Sequence, residues 1–307
     1  MTYKEFELEM QRRIQSMIGS RVTVTPQISV KNNQTFQHGL LFRETPENPG
    51  ISISPIVYLD DFYCDYLEGT SLEEIEEKLL KAYGIALESS AISLEYSTCF
   101  DRSKGNIVYR LINRDINKEM LQNMPHVPYL DLAIVFYCIL KFTDDLMACF
   151  PIMNEHLEQW NLQVEDLQKY TQQNTPRELP YSFQTVQTVL SESGEFDPSL
   201  FPENPATQLW VLTNQFRQHG AACILYDHVL AEIGKTLGED YYVIPSSIHE
   251  VLIIRSSQTE DVFELSNVIK EVNATALLKA DILSSHPYFY NCTTNTLTSV
   301  DLTDEGM

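Results

Sequence analysis

The sequence predicts an α+β protein in which mostly antiparallel sheets carry packed helices. Three observations lead there. Short apolar runs alternate with period two, and the links between them are too short for parallel crossovers. Segments of helical period carry their own start and stop residues. With 307 residues, 43% hydrophobic and 21% charged, the chain has a globular composition and the length to bury a core without disulfide or metal staples. No internal repeat or low-complexity tract interrupts the pattern.

The first helix is signalled by a capping box, Thr2 with Glu5, followed by Tyr3, Phe6, Met10, Ile14 and Met17 at helical spacing until Gly19. The period then changes to two. Val22, Val24, Ile28 and Val30 share one strand face, Phe36, His38, Leu40 and Phe42 a second, and Ile51, Ile53, Val57 and Leu59 mark a third strand. Turn residues at 31–34 and 44–50 join them, so an antiparallel meander is expected. A second capping box, Ser71 with Glu74, starts a helix with Leu72, Ile75, Leu79 and Tyr83 inward, and Gly84 is read as its end.

Beyond residue 106 the pattern predicts a strand over 107–112, a polar helix over 114–123, and the strongest strand over 130–140, with 148–153 returning beside it. Asn154 is a cap for a short helix through Trp160. Val164, Leu167 and Tyr170 mark another that ends near Asn174-Thr175-Pro176. Gly194, Pro198, Pro202 and Pro205 among polar residues place a long surface loop near 191–208. Strands follow at 209–213 and 221–226. Asp227 caps a helix with Val229, Leu230, Ile233 and Leu237 inward, closed by Gly238. Strands at 241–244 and 251–254 flank a polar loop. Thr259 caps a helix that turns Val262, Leu265, Ile269 and Val272 inward, and 287–292 with 296–300 forms a last hairpin. Two domains are expected: 1–100, with the first helix, the meander and acidic helices, and 101–307, a larger α+β domain containing the Pro-rich loop.

Charge narrows the function classes. Lys and Arg total 21 against 43 Asp and Glu, a net charge of −22. Such a surface repels phosphate, so neither nucleic acid nor an anionic membrane is expected as a partner, whereas a basic protein is the favoured match. The first ten residues lack the basic and apolar regions of a secretory signal. The longest apolar run, nine residues over 132–140, is far shorter than the ~20 of a membrane span. The six cysteines, Cys64, Cys99, Cys138, Cys149, Cys223 and Cys292, form no C-x-x-C pair. A reducing, cytoplasmic setting is expected.

Motifs that carry chemistry are sparse. Gly234-Lys235-Thr236 imitates the end of a phosphate-binding loop, but Val229 stands where that loop needs glycine, and the tripeptide lies inside a predicted helix. The glycine-rich dinucleotide pattern, the G-x-S-x-G elbow and H-E-x-x-H are all absent. One constellation merits attention. If the strands at 221–226 and 251–254 are neighbours, Cys223, His249 and Glu250 would supply nucleophile, base and orienter, beside Ser246 and Ser247 as binding residues of the polar loop. The structural alternative is a core cysteine, two ordinary turn serines, and a His249 and Glu250 that point to opposite faces. His219, His228 and His249 are too dispersed for a metal site, and Glu155-His156 lacks a ligand one turn on, so neither metal nor cofactor is expected. Between positions 60 and 95, ten acidic residues face only Lys78 and Lys81. That window reads as a solvated helix face or as a docking surface for a basic partner, with Glu76 and Glu77 outward.

The segments YRLIN (109–113), VPYLDLAIVFYCIL (127–140), NEHLEQW (154–160), HGAACILY (219–226) and YYVIPSSIHEV (241–251) carry a resemblance. Over nearly its full length the chain resembles an uncharacterised clostridial domain-of-unknown-function family. From residue 107 its element order is also similar to another uncharacterised Firmicutes family. The resemblance implies continuity of fold and a bacterial cytoplasmic setting, with no assigned activity and no functional residues. The residues themselves lead to a binding or interaction protein without catalysis of its own. The alternative is a small-molecule or peptide hydrolase or transferase using Cys223 with His249.

Overall fold

The computed structural model describes residues 1–44, 54–142, 147–192, 208–245, 247–259 and 261–300, and its sheets are antiparallel with helices packed on them. Contacts divide the chain into two compact units, Met1–Ser103 with Ile139–Phe150, and Lys104–Cys138 with Pro151–Met307.

In the first unit both capping boxes form. The Thr2 hydroxyl accepts from the Glu5 N–H while the Glu5 carboxylate accepts from the Thr2 N–H, which satisfies two orphan donors and starts α1 (Tyr3–Ile18). Three strands follow, β1 (Val22–Val30), β2 (Phe36–Glu44) and β3 (Ile56–Tyr58), in the order β1-β2-β3. The register sets Val22 opposite Glu44 and Val30 opposite Phe36. Ile51 and Ile53, expected in the third strand, lie outside the described residues. Helices α2 (Asp60–Leu67), α3 (Leu72–Thr98) and α4 (Phe100–Ser103) follow in the same unit. Its core joins Phe6, Met10 and Ile14 of α1 to Val22, Val24, Leu40, Phe42 and Val57 of the sheet and to Ile75 and Leu79 of α3. Each such side chain contributes about 1.5–3 kcal/mol on full burial. The open edge of β1 is blocked locally. Gln15 accepts from the Val24 N–H and donates to the Val22 carbonyl, Gln11 donates to the Val24 carbonyl, and Pro26 brings no N–H.

Gly84 does not end α3. A glycine inside a helix costs about 1 kcal/mol against alanine, and the Ala, Leu and Glu residues that follow over 86–95 are strong enough helix formers to carry the helix past it.

The second unit contains β4 (Ile107–Asn113), the single turn α5 (Lys118–Leu121), β5 (His126–Tyr129) and, as far as Cys138, β6 (Leu132–Phe142), with sheet order β4-β6-β5. Strand β7 (Met147–Pro151) pairs with β6. The polar helix expected over 114–123 is thus one turn. The strand expected from residue 130 begins instead after a hairpin turn at Leu130, φ 52, and Asp131. That turn is anchored because the Asp131 carboxylate accepts from the Ser284 and Tyr288 hydroxyls. Helices α6 (Asn154–Trp160) and α7 (Val164–Glu178) follow. Helix α7 runs through Pro176. Its last turn is held from the side: the Asn174 amide donates to the Lys104 and Ile107 carbonyls, and the Thr175 hydroxyl accepts from the Tyr109 N–H.

A six-stranded sheet finishes the unit in the order β13-β12-β10-β11-β9-β8. Its elements are β8 (Tyr181–Thr185), α8 (Val186–Glu192), β9 (Trp210–Asn214), α9 (Val229–Leu237), β10 (Tyr241–Ile244), β11 (Val251–Arg255), α10 (Val262–Thr275), β12 (Tyr288–Asn291) and β13 (Thr296–Ser299). Strand β8 has no signal in the sequence, since it lacks clean alternation, and it pairs with β9. Most of the Pro-rich loop, 193–207, lies outside the described residues. Helix α9 is preceded by His228 at φ 67, with no capping bond from Asp227. Helix α10 is capped by Asp261, whose carboxylate accepts from the Phe263 and Glu264 N–H groups, rather than by Thr259.

Candidate functional site

Where a strand is expected from 221, a loop after Asn214 leads into a 3-10 helical segment (Gly220–Leu225) instead. The reason is topological. Strand β9 already has β11 on one edge and β8 on the other, so no ladder remains for another strand to join. Asn214 starts the loop: its side-chain oxygen accepts from the Phe216 and Gln218 N–H groups and its amide donates to the Gln218 carbonyl. Arg217 and His219 then adopt left-handed conformations, φ 51 and 55. The chain returns to β9 so closely that a Cβ on Gly220 would lie 2.2 Å from Thr213 Oγ1 and 2.6 Å from the His249 carbonyl oxygen. Only glycine fits there.

This return path places Cys223. Its Sγ is fully buried and donates to the Thr213 carbonyl at 3.3 Å, and burial pushes the thiol up to about 12. His249 turns elsewhere. Its Nδ1 accepts from the His219 N–H at 3.4 Å and its Nε2 faces Asp281 Oδ1 at 3.4 Å. The accepting role of Nδ1 puts the proton on Nε2, toward the carboxylate. The His219 and His249 rings lie 5.4 Å apart, and burial, with Arg110 and His249 nearby, holds the His219 imidazole well below its ordinary pKa. Glu250 is half-buried, which raises its carboxyl group. Ser247 is buried and its hydroxyl accepts from the His249 N–H, while Ser246 lies outside the described residues. His249 is therefore brought together with Asp281 and His219, and Cys223 is engaged by Thr213. Among the described residues, no group of three or more His, Cys, Asp or Glu side chains is arranged to hold a metal.

Gly234-Lys235-Thr236 sits within α9, where Gly234 admits the Cys292 sulfur: a Cβ there would lie 2.5 Å from Sγ. Lys235, Tyr290 and Asn295 line the adjoining cleft of about 310 Å³.

The acidic window resolves into two sets. Arg13 of α1 pairs with both Glu73 and Glu76, Glu74 closes the Ser71 capping box, Lys78 meets Asp65 at 2.6 Å, and Arg102 pairs with Glu95. Asp61, Glu68, Glu77 and Glu88 are exposed, and among the described residues no Lys, Arg or His pairs with them. Glu77 and Glu88, three helical turns apart, share a face of α3. Of the two glutamates singled out by sequence, Glu77 is available to solvent and Glu76 is held by Arg13.

A family model described as a family of unknown function (DUF5688) matches residues 3–292. The chain belongs to that family. The match runs from α1 to the last residues of β12 and so includes both the acidic face and the Cys223 and His249 region. No curated protein and no solved structure matches the chain.

Arg13 and Asp281 escaped sequence reasoning, and His219, weighed there only as a metal ligand, meets His249. Each meets its partner across a long separation, and no local spacing signals such a pairing. Among the described residues, no helix is long and apolar enough to cross a membrane.

Proposed function

We propose that this protein acts in a bacterial cytoplasm by binding a basic macromolecular partner through α2 and α3, with no catalysis of its own. The observation that supports this reading is the set Asp61, Glu68, Glu77 and Glu88, which stays exposed and, among the described residues, without a cationic partner while the neighbouring acids are engaged within the fold. Unneutralised like charge repels itself, and a basic surface relieves that repulsion and speeds encounter. The alternative, a hydrolase or transferase using Cys223 and His249, draws less support. A thiol nucleophile needs a depressed pKa and an imidazole within reach, whereas Cys223 is raised and bonded to a backbone carbonyl. The six cysteines form no C-x-x-C pair, which fits a reducing compartment.

The test is capture of partners from a bacterial lysate at low salt by the full chain and by the Glu77→Gln/Glu88→Gln variant. A basic protein retained by the former, lost by the variant of equal Tm, and released by salt is the expected result. Equal retention by both, or an esterase or peptidase activity abolished by Cys223→Ser, overturns the reading.

A further inference from the structure

Helix α10 buries two polar side chains, Ser266 and Asn273, beside Ile269. The periodicity assigns Val262, Leu265, Ile269 and Val272 to the core, yet the buried residues are Ser266, Ile269 and Asn273. The Asn273 amide donates to the Ser284 carbonyl at 2.9 Å and to Ser285 Oγ at 3.3 Å, and the Ser266 hydroxyl donates to the Ser285 carbonyl. Rotating the helix to bury its valines would strip these buried polar groups of their partners. Val268 and Val272 therefore face out, 49% and 37% exposed, with Leu265 half-buried beside them. Positions 265, 268 and 272 are spaced by three and four, the seam of a helix that pairs with another helix. Glu264 and Glu271, one heptad apart, flank that seam on one side, whereas Lys270 lies around the helix from it.

We propose that this face of α10 docks an amphipathic helix of a partner protein whose apolar stripe is flanked by Lys or Arg. Charge complementarity selects that occupant. A second copy of this chain docked antiparallel would bring Glu264 and Glu271 against themselves, whereas a basic flank meets both carboxylates. The inference stands apart from the acidic face of α2 and α3, and its variants are different.

The probes are two synthetic peptides of two heptads each, with leucine at the seam positions and either lysine or glutamate elsewhere, titrated by fluorescence anisotropy against the full chain at low salt. The lysine peptide is expected to bind about tenfold or more tighter than the glutamate peptide. Val268→Asp/Val272→Asp, both surface changes, should weaken it by about tenfold with Tm unaltered. Should that variant fold poorly, Glu264→Lys/Glu271→Lys keeps the seam and should reverse the preference toward the glutamate peptide. Glu77→Gln/Glu88→Gln should leave this binding as it was, so failure here and failure of the α2–α3 reading are separable. Undiminished binding after the aspartate substitutions, an unreversed preference after the lysine substitutions, or a wild-type dimer in sedimentation that Val268→Asp/Val272→Asp dissociates would overturn the proposal, the last by making a second copy the occupant.

Discussion

His219 combines a left-handed backbone, a buried ring and two cationic or potentially cationic neighbours, Arg110 and His249. Burial first, then the Arg110 guanidinium, then His249 disfavour the charged imidazole and hold its pKa well below the ordinary 6.5. Between the folded-state pKa and 6.5 the unfolded chain binds more protons than the native one, so stability rises with pH through that window. The contribution is complete above the unfolded pKa and is lost as pH falls below it, with a slope of at most about 1.4 kcal/mol per pH unit for one proton. Urea denaturation at pH 7 and pH 5.5 should show a loss that His219→Asn, a residue that tolerates the left-handed region, reduces. Parallel losses in both proteins would place the source elsewhere. Glu250, whose carboxyl group is raised by burial, acts with the opposite sign and does not mimic the effect. At this scale the sequence singled out His249 but misjudged its company. Cys223 and Glu250 would join it only through a strand at 221–226, which does not form, while Asp281 reaches the imidazole through tertiary contact alone.

Among the elements, starts were more legible than stops. The boxes at Thr2 with Glu5 and Ser71 with Glu74 are local reciprocal bonds, and both form as the spacing predicts. Gly84 and Pro176 are weak terminators, and each is overridden by the residues or contacts that follow. Thr259 and Asp261 are both good caps by residue type. The path of the chain after β11 decides for Asp261, whose carboxylate accepts two N–H bonds of α10. Asp261→Ala should therefore cost about 1 kcal/mol in urea denaturation, whereas Thr259→Ala should change stability by only a few tenths. Equal costs would return the cap to Thr259.

For the whole molecule, a net charge of −22 sets a background of self-repulsion that favours expanded states. Salt shortens the Debye length from about 30 Å at 0.01 M to about 8 Å at 0.15 M, so the Tm should rise over that interval. A falling Tm would mean that ion pairs such as Arg12 with Glu9, Arg13 with Glu73 and Glu76, and Lys78 with Asp65 outweigh the repulsion. The sequence by itself determined the α+β class, the capped helices, the meander of β1 and β2, and the acidic surface. These follow from composition and from periodicities of two and 3.6 that act over a few neighbours. Only the tertiary structure decided that 220–225 form a 3-10 segment, because β9 has no free edge, and that α10 turns Val268 and Val272 outward, because Asn273 and Ser266 bond residues 284 and 285. It also decided that Arg13 claims Glu76 and leaves Glu77 to solvent. In each case the deciding partner lies outside the segment it controls, where local pattern carries no record of it.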